Sequence, residues 1–136
     1  MAAQCYPSAR EKFLTAQLSW ISGTYRALLL PESFNPDFDD QFLSDIFVGV
    51  RIAVSDPITG RTATKGFANC DPIKWGILAD SRKASAIIIF RDTLIEESSD
   101  LICYLGPEKL QGAPIQLLGL DYFYIPSLLD GGIFRL

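Results

Sequence analysis

The chain is 136 residues long, the size of one domain, and is 49% hydrophobic but only 21% charged, so a partner is expected to cover part of its apolar surface. Its net charge of -4 and scattered Lys and Arg exclude the clustered cations that a nucleic-acid partner requires. The absence of histidine removes Ser-His-Asp and Cys-His catalysis and every histidine-containing zinc site.

The first stretch, MAAQCYPSAREKF, lacks a charged segment followed by an apolar one, and the longest apolar runs, ALLL and AIIIF, fall far short of the ~20 residues of a membrane span. A soluble, unexported protein without membrane contact is the expectation. Ser8 to Glu11 has the form of a capping box, and Phe13, Leu14, Ala16, Leu18 and Ile21 follow at helical spacing before Gly23, which predicts an amphipathic helix over 8–22. TYRALLL, ending at Pro31, predicts a strand buried on both faces near its end. Asp39 or Asp40 is placed to cap a second, short helix of about two turns, with Phe42, Leu43 and Ile46 on one face.

From Gly49 the pattern changes to period two. GVRIAV and RTATKG alternate on either side of the turn-rich SDPITG, which predicts a hairpin. DPIKWGIL, ASAIIIFRD and DLICYLG are further strand-length runs, and the wholly apolar AIIIF belongs at the centre of a sheet covered on both sides. IQLLGL, YFYI and IFRL complete about eight short strands. This order predicts a single α+β, mainly β domain spanning 1–136, a sandwich or partly closed barrel with the N-terminal helix laid on it.

The patterns that suggest chemistry each lack a required part. A Walker loop needs Gly directly before Lys65 and Ser or Thr after it, where this chain has Thr64 and Gly66. Asn35, Asp37 and Asp39 alternate like the first ligands of a calcium loop, but Asp40 and Ile46 stand where the turn Gly and the bidentate Glu belong. Glu96, Glu97 and Asp100 lie in a polar turn and read as solvent-facing rather than as a glycosidase pair. Cys5, Cys70 and Cys103 are far apart and read as reduced thiols packed as small hydrophobes. A non-enzymatic protein with no catalytic residue, metal or cofactor is expected.

Towards the C-terminus apolar residues crowd beyond what one sheet face can bury, from Leu117 to Leu136. Termini fray unless something ties them down, so an end on Ile133, Phe134 and Leu136 implies a sheet, a core or another chain that holds it. The candidate partner-binding residues are therefore Tyr122, Phe123, Tyr124, Ile125, Leu128, Leu129, Ile133, Phe134 and Leu136.

EKFLTAQLSW, YRALLL, FLSDIFVGVRIAVSDPITGRTATKGFANCDPIKW, AIIIFRDT, LICYLG and the closing IFRL occur in the order and spacing of a group of small tailed-bacteriophage virion proteins, which this chain resembles over most of its length outside 107–130. The resemblance implies a virion structural protein made in the host cytoplasm. Some proteins of this sort are capsid cement or decoration proteins, which sit on the outer lattice of the major capsid protein and bridge neighbouring capsomers. The major capsid protein, other virion subunits and further copies of this chain are the partners it implies. The chain departs from the group in LQGAPIQLLGLDYFYIPSLLDGG, where the usual form is a shorter, more polar hairpin with a Trp, and this departure points to a specialised contact surface. Two alternatives to a capsid cement protein are a tail or baseplate component and a carbohydrate-binding attachment module built on Trp75 and the tyrosines.

Overall fold

Ala-Ser-Ala-Ile-Ile-Ile-Phe has no polar alternation, and every residue from Ala84 to Phe90 is buried. Only a strand covered on both faces suits such a run. The computed structural model describes residues 4–110, 112–126 and 132–135. Its strands in chain order are β1 (Gln4–Cys5), β2 (Tyr25–Pro31), β3 (Ala53–Val54), β4 (Thr62–Thr64), β5 (Phe67–Asn69), β6 (Ile73–Ile77), β7 (Ala84–Arg91), β8 (Leu101–Leu105), β9 (Asp121–Tyr124) and β10 (Phe134–Arg135). One α-helix, α1 (Pro7–Leu14), joins β1 to the loop before β2.

A five-stranded sheet runs β1-β8-β7-β2-β3, and its ladders are antiparallel, so β7 is the central strand, as the run AIIIF predicts. Opposed residues of an antiparallel pair share a face. Tyr25, Ala27, Leu29, Ile87, Ile89, Cys103, Leu105 and Cys5 therefore lie on one side, and Leu28, Leu30, Ile88 and Tyr104 on the other. On the first side Trp20 stands edge-on to Tyr25 at 4.9 Å, and Phe134 stands edge-on to Trp20 at 5.2 Å. On the second, Phe34 and Phe38 cover Tyr104 at 6.4 and 6.2 Å. A three-stranded sheet, β10-β5-β4, and the ribbon β6-β9 complete the described strands. The domain is α+β, mainly β, with sandwich-like layers.

Several local expectations need correction. Helix α1 starts one residue earlier, with Pro7 in its first turn where the missing amide costs nothing, and no side chain caps it. The Ser8 hydroxyl is buried without a partner rather than closing a capping box. The helix ends at Leu14 because Thr15 Oγ1 donates to the Glu11 carbonyl at 2.9 Å and Ala16 turns to φ 61°. Leu18 and Trp20 then enter the core two residues apart, a spacing no helix allows, while Ile21 stays exposed. The second helix is a single 3-10 turn, Leu43–Asp45, held by Asp45, whose carboxylate accepts from the Gln41 and Phe42 amides at 2.9 and 3.0 Å.

The hairpin also lies elsewhere. β4 and β5 pair across Lys65 and Gly66, at φ 54° and 82°, the two left-handed residues of a two-residue hairpin turn. β3 pairs instead with β2, and the SDPITG segment crosses between sheets, with Ile58 buried and its amide donating to the Tyr25 carbonyl at 2.8 Å. Arg61 locks that crossing. It donates to the carbonyls of Trp20 (2.9 Å) and Gly23 (2.6 Å) while its guanidinium lies 4.7 Å from the Tyr25 ring.

Candidate interaction surface

The apolar chain end is held by this chain itself. Ile133 and Phe134 are 1% and 4% exposed, Ile133 N donates to the Ala68 carbonyl at 2.7 Å, and Phe134 pairs with Ala68 in the β10-β5 ladder. Its ring packs on Trp20 and on Phe13 of α1, so these residues close the core and offer no free surface to a partner. Tyr124 is likewise buried, and Tyr122 is half-buried with its ring 5.4 Å from Trp75. Phe123 and Ile125 are exposed, at 47% and 71%. Leu128, Leu129 and Leu136 lie outside the described residues.

The β6-β9 ribbon explains this division. Ile73 opposes Tyr124 and both point inward, whereas Lys74 opposes Phe123 on the outer face, where the ammonium sits 6.0 Å from the ring. Strict alternation would then bury Ile77. A register shift between Lys74 and Ile77, at Gly76 with φ 73°, turns Ile77 outward instead, opposite Asp121. Ile77 is 76% exposed.

Beyond the ribbon, Leu78 N donates to the Leu120 carbonyl at 3.0 Å and Gly119 N to the Leu78 carbonyl at 2.7 Å, which fixes the 118–120 loop against the end of β6. Leu118 and Leu120 project from it, both exposed. The exposed apolar residues of this region are thus Ile77, Phe123 and Ile125 on the ribbon side and Leu118 and Leu120 on the loop, with Lys74 and Asp121 as the charges opposite Phe123 and Ile77. Of these five apolar residues the sequence singles out Phe123 and Ile125. Ile77 was legible in principle, since a glycine inside a strand run marks a bulge.

A second exposed apolar group comprises Val54 and Leu94, which line an open groove of about 300 Å³ with Leu43 and Phe90 beneath, and Ile95 beside Leu94 in the chain. Its two arginines are each paired with a carboxylate. Arg51 takes Glu96 with both terminal nitrogens, at 3.1 and 2.9 Å, holding that carboxyl below its ordinary range, and donates to the Leu43 and Ile46 carbonyls as well. Arg26 pairs with Asp92 at 2.8 Å.

Several of the other chemistry candidates hold structural positions. Asp100 is buried on Lys12, a cation separate from the one that takes Glu96. Lys65 occupies the hairpin turn, and Asp37 Oδ1 accepts from the Asp39 amide at 3.0 Å. Trp75 is buried, its indole N–H donating to the Ala27 carbonyl at 3.1 Å, so it presents no ring face on which a sugar could stack. Burial pushes the Cys5 and Cys70 thiols up to about 11 and about 12, so near neutral pH both are overwhelmingly protonated and react slowly. Among the described residues no group of three or more His, Cys, Asp or Glu gathers to hold a metal, and no helix is long and apolar enough to cross a membrane.

The chain matches no protein-family model and no curated protein sequence.

Proposed function

We propose that this chain is a non-enzymatic structural protein of a tailed-phage particle, a capsid cement or decoration protein that docks on the outer surface of the major capsid protein lattice and bridges capsomers. The observation that carries the reading is the β6-β9 ribbon and its adjoining loop, where Ile77, Phe123 and Ile125 stand exposed on the outer face and Leu118 and Leu120 stand exposed on the loop hydrogen-bonded to its end. Exposed apolar residues are ordinary when scattered, but several large ones on one ribbon and its loop, with Lys74 and Asp121 set opposite Phe123 and Ile77, favour an interaction surface. Four of these five side chains, Leu118, Leu120, Phe123 and Ile125, fall in the part of the chain, Leu110 to Gly132, that departs from the virion proteins it otherwise resembles, and Ile77 comes from β6. The shared DPIKW run supplies the start of β6, and the divergent segment supplies β9 and the 118–120 loop. Capsid subunits and further copies of this chain are its partners, and it reaches the virion from the host cytoplasm.

Counting copies by quantitative mass spectrometry of purified particles tests the role. Hundreds of copies per particle are expected for a shell component. A few copies would place the protein in the tail or baseplate, and its absence from purified particles would overturn the reading altogether.

A further inference from the structure

Cys5 and Cys103 are 98 residues apart in the chain, 103 minus 5, yet they face one another across the β1-β8 ladder. The kind of pair they form follows from the next rung. Tyr6 N donates to the Ile102 carbonyl at 2.9 Å, which makes Tyr6 and Ile102 the hydrogen-bonded pair and leaves Cys5 and Cys103 as the non-hydrogen-bonded pair. Cα atoms of such pairs lie about 4.5 Å apart, within the roughly 4.4–6.8 Å that a disulfide spans. Both side chains leave the same face of the sheet, as opposed residues of a ladder must. From this register we infer that Cys5 and Cys103 are an oxidation site, able to close a cross-strand disulfide that staples the N-terminal edge strand to β8.

The two thiols are not equivalent. Cys5 is partly exposed on a two-residue edge strand, whereas Cys103 is completely buried with the Ile89 amide at its sulfur. An external oxidant therefore meets Cys5 first. With a small-molecule disulfide as oxidant, the Cys5 thiolate attacks one sulfur of that reagent, forming a mixed disulfide and expelling one thiolate, which takes up the proton Cys5 lost. Cys103 then attacks the Cys5 sulfur and expels the second thiolate, which takes up the proton that Cys103 loses. Two protein thiols are oxidised and one reagent disulfide is reduced to two thiols. Burial raises both cysteines above the ordinary thiol range, so the exchange runs slowly, on the scale of minutes to hours. Cys70 is the competitor, because it lies close enough to influence Cys103, but it follows β5 in the other sheet and stands in no ladder with either cysteine.

Tryptic cleavage separates the three cysteines into residues 1–10, 66–74 and 92–109, which makes the assignment direct. The full reduced chain is incubated with oxidised glutathione, quenched with acid and an alkylating agent, and mapped by mass spectrometry. The expected product has lost two hydrogens, joins 1–10 to 92–109, leaves Cys70 alkylated, and unfolds several degrees above the reduced form because a long loop has been closed. The same crosslink should form in the Cys70→Ser variant. A chain that stays fully reduced, stops at glutathione on Cys5, or joins Cys70 to either partner would overturn the inference.

Discussion

Gly76 adopts φ 73° in the middle of β6, and a Cβ built there meets nothing within 4 Å. Its requirement is therefore one of backbone conformation alone, and that conformation is what sends Ile77 to the outer face. Gly132 differs, since at φ 67° its Cβ would lie 2.5 Å from the Ala68 carbonyl oxygen, the same atom that accepts from Ile133. Gly76→Ala should cost about 1–2 kcal/mol from the left-handed backbone, and Gly132→Ala clearly more, because a backbone oxygen has to move. Denaturant unfolding of the two variants checks this ordering, and equal losses would contradict it. Reading KWGIL as one uninterrupted strand hides Ile77, since period two holds only until a residue with positive φ resets it. Trp75, which the sequence offers to a carbohydrate-binding module, is core, and its buried N–H is satisfied by the Ala27 carbonyl.

The long strands were readable with their place in the sheet, whereas short ones such as those in RTATKG, YFYI and IFRL were readable as strands but not in their pairing. β2, β7 and β8 are continuous apolar runs bounded by Pro, Gly or Asp, and the sequence places all three and puts β7 at the centre. β3 and β10 are two residues each, too short for any periodicity to report, and their partners are fixed by tertiary packing. So the hairpin expected between β3 and β4 forms between β4 and β5, where Lys65 and Gly66 supply the turn. The chain end was legible as tied down, but its anchor is the sheet edge at β5 together with Trp20 and Phe13. Phe134→Ala should consequently cost about 3–5 kcal/mol, the loss of a buried aromatic with its cavity, whereas Ile125→Ala should stay within about 0.5 kcal/mol. Thermal unfolding of the pair checks the assignment, and a Phe134 variant as stable as the Ile125 variant would put the chain end outside the core.

The folded chain exposes 7229 Å², and monomers of 15.1 kDa expose about 7,100 Å² by the usual scaling of surface with mass. It is thus as closely folded on itself as a free-standing domain, and its apolar excess appears in which side chains face out rather than in extra area. A standard interface takes about 800 Å² from each partner, roughly a tenth of such a surface, and the ribbon face, where Lys74 and Asp121 stand opposite Phe123 and Ile77, is the proposed centre of one. The proposed cement role was legible only through segment resemblance, because its contact surface depends on one bulge and one loop whose outward direction no sequence pattern states.

Ile77 and Ile125 are both more than two-thirds exposed, so aspartate at each leaves the core intact while placing charge in the middle of the contact. The decisive measurement is the occupancy of purified particles by the Ile77→Asp/Ile125→Asp double variant, with thermal unfolding as its control. The proposed role predicts wild-type unfolding and loss of the protein from the particles. Wild-type occupancy by a normally folded variant would contradict it.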